Sequence, residues 1–270
     1  MPYKKNKLPA GIILLVPFLF LTNCARVPWT SLIEGDPKSA IEQTYLNSVE
    51  KTKRCSSSWD GEVTVSWDSA VQTYSFSAYC QVMEPSYIKL IVSNPLGQPL
   101  KLISTNGTDY QAIDAHKRSS VGGSLRAWAI RNEIPLTLTK RPWLDWLQGR
   151  AIPDNNQILE IREDAQNRGV WLGVAETDMA RIQEHVLFDI DTSLIFQRLI
   201  VDEQNKPLAT ITYGEWQQFD GCRYPAQISF TGLPYGSSAE LIFSDVKSVT
   251  LTRDSFNLKI PPGFTRKLLP

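Results

Sequence analysis

The sequence is poor in the residue types on which most enzyme and metal sites are built. Only two histidines occur in 270 residues, His116 and His185, and neither stands in a known catalytic motif. Four cysteines are present, none of them in a CxxC pair, and the histidines lie far apart, so no metal is expected. There is no GxSxG nucleophile elbow and no P-loop or dinucleotide fingerprint, so no cofactor is expected either. An excess of one charge is also missing, since 28 basic residues meet 28 acidic ones. That balance provides neither the basic face that nucleic acid requires nor a polybasic lipid-binding run. A membrane-spanning apolar stretch is missing too. Ala10 to Leu21 is apolar but too short to cross ~30 Å of hydrocarbon as a helix.

That short run has another reading. Lys4, Lys5 and Lys7 precede it and Leu21-Thr22-Asn23-Cys24 ends it. A basic start, a dozen apolar residues and a cysteine after an aliphatic residue make a lipoprotein signal. Asn23 stands where Gly, Ala or Ser is usual. The expectation is cleavage before Cys24, acyl chains on that cysteine, and a membrane anchor that becomes stable with more than one chain. Residues 1–23 are then the signal peptide, 24–36 the lipidated terminus and tether, and 37–270 a single β-rich domain. Without the three leading lysines the charge is near −3 (25 basic, 28 acidic). Export allows a disulfide. Cys55 precedes one expected strand and Cys80 lies late in the next, so a hairpin turning near Asp68-Ser69-Ala70 pairs Cys55 with Cys80. Cys222 is left as a buried thiol.

Apolar positions at Ile41, Tyr45, Ser48/Val49 and Thr52 have helical spacing. With Asp36 as cap and Pro37 in the first helical position, they predict a helix over 37–53. Alternation of period two then takes over, as in Val63-Val65-Trp67 and Tyr74-Phe76-Ala78-Cys80-Val82, and each such set is a strand with one wet and one apolar face. Asn106-Gly107 and Asp220-Gly221 mark hairpin turns. The pattern breaks over about 117–155, where Ser119 to Ser124 reads as flexible. Leu125, Trp128, Ala129 and Ile130 suggest one short helix, and Leu136 to Leu147 a second that ends at Gly149. Strand patterns resume from Ile158 to Leu251. The expected fold is mainly β (α+β), an unclosed antiparallel half-barrel of about 11 strands with an N-terminal helix and a central helical lid over the concave face. Trp128, Trp143 and Trp146 cluster in the helical insertion, where they either fill the core or line and gate an apolar pocket. Both histidines read as surface residues, and Asp189 and Asp191 as an exposed polar strand face.

Two segments carry a family resemblance. The first is Tyr87-Ile88-Lys89-Leu90-Ile91-Val92-Ser93-Asn94-Pro95-Leu96-Gly97. The second is Ile134-Pro135-Leu136, then Trp143-Leu144-Asp145-Trp146-Leu147-Gln148-Gly149 and Ile152-Pro153. In order and spacing they resemble LolB, the outer-membrane receptor of lipoproteins, within the wider LolA/LolB group. The resemblance implies an open half-barrel whose cavity holds acyl chains, with Leu125, Trp128, Trp143, Trp146 and Leu147 as lid and lining. It also implies that Leu96, presented by Pro95 and Gly97, enters the membrane. Asn-Pro-Leu-Gly is good turn chemistry in any fold, so a leucine tucked under its hairpin is the other reading. Ala25 is compatible with sorting to the outer membrane, facing the periplasm. The implied partners are acylated lipoproteins or other lipids and a periplasmic LolA-type carrier. The chain is longer than is typical of that family and has extra strand patterns over 158–202. The function expected is non-enzymatic transfer of acylated cargo, and the alternative is an envelope scaffold or signalling lipoprotein that binds a protein partner.

Overall fold

A computed structural model describes residues 27–131, 134, 136–140, 143–150, 156–177 and 180–269. The expected signal peptide, Cys24 and Ala25 lie outside them. The chain first forms β1 (Trp29–Leu32), then α1 (Gly35–Thr52), then β2 (Ser58–Asp68), β3 (Thr73–Met83), β4 (Tyr87–Ser93), β5 (Pro99–Thr105), β6 (Asp109–Asp114) and β7 (Ser119–Ser124). The helices α2 (Leu125–Arg131), α3 (Thr137–Lys140) and α4 (Trp143–Leu147) follow. The chain then returns to strands as β8 (Asn156–Asp164), β9 (Val170–Glu176), β10 (Glu184–Asp189), β11 (Leu194–Val201), β12 (Pro207–Phe219), β13 (Cys222–Leu233), β14 (Ser237–Ser248) and β15 (Thr265–Leu269).

All fifteen strands form one sheet in the order β1-β8-β9-β10-β11-β12-β13-β14-β2-β3-β4-β5-β6-β7-β15, with β1 and β15 at its unclosed ends. Pairing is antiparallel throughout except for β15 on β7. The expected half-barrel class holds, with fifteen strands in place of about eleven. The additional ones are short edge pieces, and β7 falls in the stretch expected to be flexible. Its glycines allow the strand. A Cβ on Gly123 would collide with the backbone carbonyl of Leu269, so glycine there admits β15 alongside.

Helix α1 buries Ile41, Tyr45, Ser48 and Val49, one face at helical spacing. It starts two residues earlier than expected. Glu34 is the N-cap, and Asp36 lies in the first turn, where a carboxylate suits the helix dipole. Pro37 fits that turn because its missing N–H would have no partner within the helix. The buried side chains of α1 join Leu138, Leu144, Trp146 and Leu147 from α3 and α4 in one core against β2, β3 and β8–β14. Each large aliphatic side chain in it contributes about 1.5–3 kcal/mol by leaving water. We call the sheet face carrying this core the inner face. No described helix is long and apolar enough to cross a membrane.

The cysteine pairing differs from the expected one. Cys55 is bonded to Cys222, with Cα atoms 5.8 Å apart, and Cys80 is a buried free thiol whose pKa burial pushes up to about 12. Strand register gives the reason. The β2–β3 hairpin pairs Asp68 with Thr73 and therefore sets Cys80 opposite Gly61, in mid-sheet, while Cys55 lies beyond the hairpin's open end. There it meets Cys222, the first residue of β13 after the Asp220-Gly221 turn.

His185 is also not a surface residue. It is 1% exposed on the outer face, stacked on Trp29 at 4.2 Å between ring centroids. Trp29 packs edge-on to Trp171, whose indole donates to Asp164 at 2.8 Å. The backbone of Ala165 donates to the Pro28 carbonyl at 2.9 Å. The tether is thus held on the sheet from Pro28 onward.

Two outcomes follow. Reducing the Cys55–Cys222 bond, which spans 167 residues of sequence, should lower stability by about 2–5 kcal/mol in urea unfolding. Burial depresses the His185 pKa below its usual 6.5. The unfolded chain therefore binds the proton first. Stability is full above pH 6.5 and declines as pH falls below it, and His185→Phe should remove that part of the decline.

Candidate functional site

Strand register fixes which side chains share the inner face of the central sheet. Val63, Val65 and Trp67 on β2 stand opposite Ala78, Phe76 and Tyr74 on β3, and opposite Phe243, Leu241 and Ala239 on β14. Cys80 faces Leu90, and Val82 faces Ile88 on β4. Toward the edge where these strands begin or end near Ser58 and Met83, this surface is covered, and Trp59, Val63, Cys80 and Val82 are buried. Toward the opposite edge Val65, Trp67, Phe76, Leu90, Val92, Phe230 and Leu241 are only partly buried. Trp67 stacks with Tyr74 at 6.5 Å, and Tyr74 with Phe76 at 6.3 Å, the tyrosine being exposed. The result is an apolar trough, roofed at one end and open toward the β2–β3 turn.

The expected lid residues divide into two groups. Trp146 and Leu147 on α4 lie in the main core. Leu125 on α2 is buried apart from it, and Trp128 is half-buried with its ring 6.1 Å from that of Tyr110 on β6. Helix α2 therefore covers β6 and β7, and α4 lies against β4. Trp143 begins α4, and its side chain lies outside the described residues. Leu96 projects from the β4–β5 loop and is 84% exposed, so it does not tuck under its hairpin. The Asn94 side chain accepts from the backbone N–H groups of Leu96 and Gln98, each at 3.0 Å, and shapes the loop with Pro95 and Gly97. Gly97 takes φ +76°, a conformation that favours glycine.

The roofed end is fastened by groups the sequence reading did not single out. Arg198 on β11 is fully buried and Glu184 on β10 is 1% exposed. Arg198 Nη1 lies 3.3 Å from both Glu184 carboxylate oxygens, and Nε donates to the Tyr213 hydroxyl at 3.2 Å. Its Nη2 donates to the backbone carbonyl of Arg150, just beyond α4, and the guanidinium lies 5.6 Å from the Trp146 ring centroid. Burial alone would lower the Arg198 pKa, but Glu184, Tyr213 and Tyr45 outweigh it, so the guanidinium stays charged. Burial pushes the Tyr213 phenol up to about 12. Arg150 extends the network. It donates to Glu84 Oε1 at 3.0 Å, to the Ser56 carbonyl at 3.2 Å and to the Tyr224 hydroxyl at 3.1 Å. Gly149 between them has φ +58°, and a Cβ there would come within 2.8 Å of Trp216. A charged residue within a mostly apolar strand, Leu194 to Val201, was the available signal for Arg198.

Arg198→Met should leave Glu184 buried without its guanidinium, at a cost of about 3–5 kcal/mol. Arg198→Met combined with Glu184→Leu should recover most of that loss, because the desolvation of both charges is then avoided. Urea unfolding of the single and double variants checks both outcomes.

No protein-family model matches the chain, and no curated relative does. Solved structures do resemble it. An outer membrane lipoprotein-sorting protein domain from Vibrio parahaemolyticus superimposes with a TM-score of 0.55 at 14% identity, covering 82% of this chain and 97% of that one. A LolA superfamily protein from Nitrosomonas europaea gives 0.53 at 14% identity, covering 80% and 97%. At such identities the likeness concerns fold alone, and the fold is of the LolA/LolB type.

Proposed function

We propose that this protein is a lipid-anchored envelope protein that receives acyl chains of lipoproteins, or of other lipids, in the trough between sheet and helices and passes them to the outer membrane. The observation that carries the reading is the half-exposed apolar inner face of β2, β3, β4, β13 and β14, open at one edge and roofed at the other. Each CH₂ moved there from water gains about 0.8 kcal/mol, so binding needs apolar surface and no catalyst. The fold shared with a lipoprotein-sorting domain and a LolA superfamily protein supports a role of this class. In this reading Cys24 carries the anchor and Leu96 enters the membrane during delivery. Trp67, Tyr74 and Phe76 line the open part of the trough. The roles first expected of Trp128 and Leu125 pass to a cover over β6 and β7, while Trp146 and Leu147 belong to the fastened end. A periplasmic carrier of LolA type is the donor this scheme requires.

The test is binding of a purified acylated lipoprotein to the full chain, with its non-acylated form as control. Only the acylated form should bind. Trp67→Glu or Phe76→Glu should weaken binding at least about tenfold, the equivalent of losing roughly two buried methylenes. Leu96→Glu should spare binding and slow delivery to vesicles. Equal binding of both forms would exclude the acyl-chain site and favour an envelope scaffold that recognises protein.

A further inference from the structure

The antiparallel register places four consecutive hairpin loops on one edge of the sheet. They join β13 to β14, β2 to β3, β4 to β5, and β6 to β7, and these eight strands are neighbours in that order. Three of the loops present a large apolar side chain to solvent. Tyr235 is 73% exposed, Val71 90% and Leu96 84%. Each belongs to a shaped turn. Tyr235 takes a left-handed conformation at φ 58° within a 3-10 turn. The Ser69 hydroxyl donates to the Gln72 carbonyl and accepts from the backbone of Gln72, which leaves Val71 at the apex. Asn94 does the same service for Leu96.

The fourth loop is polar and basic, with His116, Lys117 and Arg118 all exposed. Arg266 and Lys267 at the start of β15 pair beside it with Ser120 and Val121. The acids on this edge are engaged locally. Asp114 is 3.9 Å from Lys117, and Asp68 accepts from the Thr73 hydroxyl.

We infer that this edge is a lipid-facing rim, with Tyr235, Val71 and Leu96 as three insertion points and the basic β6–β7 loop set for an anionic bilayer surface. Single exposed apolar residues are ordinary. A row of three on adjacent hairpin tips, flanked by cations, has the chemistry of an interfacial contact, in which apolar groups enter the headgroup boundary while lysine and arginine meet lipid charge. The trough opens at this same edge through Trp67 and Tyr74, the former pairing with the latter just below the Val71 turn. An acyl chain leaving the trough would then enter the bilayer without crossing water. The inference rests on the proposed delivery role and extends its single leucine to a three-tipped surface. The tether is fixed at the other edge, where Trp29 pairs with Asp164, so the opposite orientation must be part of the test.

The test uses the full chain with Cys24→Ser. Cys55 and Cys222 are bonded and Cys80 is buried, so an introduced cysteine is the accessible thiol among the described residues. An environment-sensitive fluorophore is placed in turn at Val71→Cys, Leu96→Cys, Tyr235→Cys and, on the opposite edge, Gln166→Cys. Each is mixed with vesicles of phosphatidylglycerol and phosphatidylcholine, or of phosphatidylcholine alone, carrying a lipid-borne quencher. Quenching is expected at the three rim positions, more in the anionic vesicles, with none at position 166. Lys117→Gln with Arg118→Gln should bring the anionic-to-neutral quenching ratio to one. Quenching at 96 alone overturns the rim and leaves the proposed function standing. Quenching at 166 without the rim positions overturns the rim and places the bilayer at the tether's edge. Quenching at none overturns both the rim and membrane insertion by Leu96. An unchanged ratio in the double glutamine variant removes the basic loop from the contact.

Discussion

One buried ion pair holds the helical cover to the sheet. Arg198 and Glu184 sit where neither is reached by water, and Glu184 together with Tyr213 and Tyr45 keeps the guanidinium charged there. Arg198 does more than neutralise. By donating to the carbonyl of Arg150 it satisfies a buried backbone group three residues past the end of α4. The second guanidinium, that of Arg150, carries the connection on to β13 and to the turns at Ser56 and Glu84. The roof of the trough is therefore attached by directional polar bonds at one end.

The sequence reveals most of the architecture, because period-two alternation is strong wherever a strand has one wet face. Helix α1 and the long strands β2, β3, β12, β13 and β14 were legible for that reason. Strands β1 and β15 are short edge pieces with little alternation to detect, and β7 hides behind Ser119-Ser120-Val121-Gly122-Gly123-Ser124, a composition that serves a flexible loop equally well. The disulfide went astray by register. Cys80 would stand opposite Cys55 only with the hairpin pivot three residues earlier than it is, and a bond across β14 to Cys222 leaves no local trace.

The site was legible only in part. Asn94-Pro95-Leu96-Gly97 identifies itself as a turn, but its chemistry fits a tucked leucine as well as a projecting one, and only the family resemblance implied the exposure that Leu96 shows. The tryptophans of the insertion were legible as residues of two helices, but not as residues lying over different strands. Arg198 and Glu184 lie on adjacent strands, fourteen positions apart in sequence, and the one local mark of Arg198 is its charge within a mostly apolar strand. Likewise His185 is buried by Trp29, a residue from the far end of the chain.

The sheet's two terminal strands never meet. In a closed barrel, strand number and shear together set the radius, and the interior has one size. A sheet with free ends carries no such condition. Its twist can relax or tighten, and β1 and β15 can draw apart, while every ladder hydrogen bond is kept. The spacing between sheet and helices is thus not fixed by barrel closure. On the proposed acyl-chain reading, that freedom suits guests of unequal length.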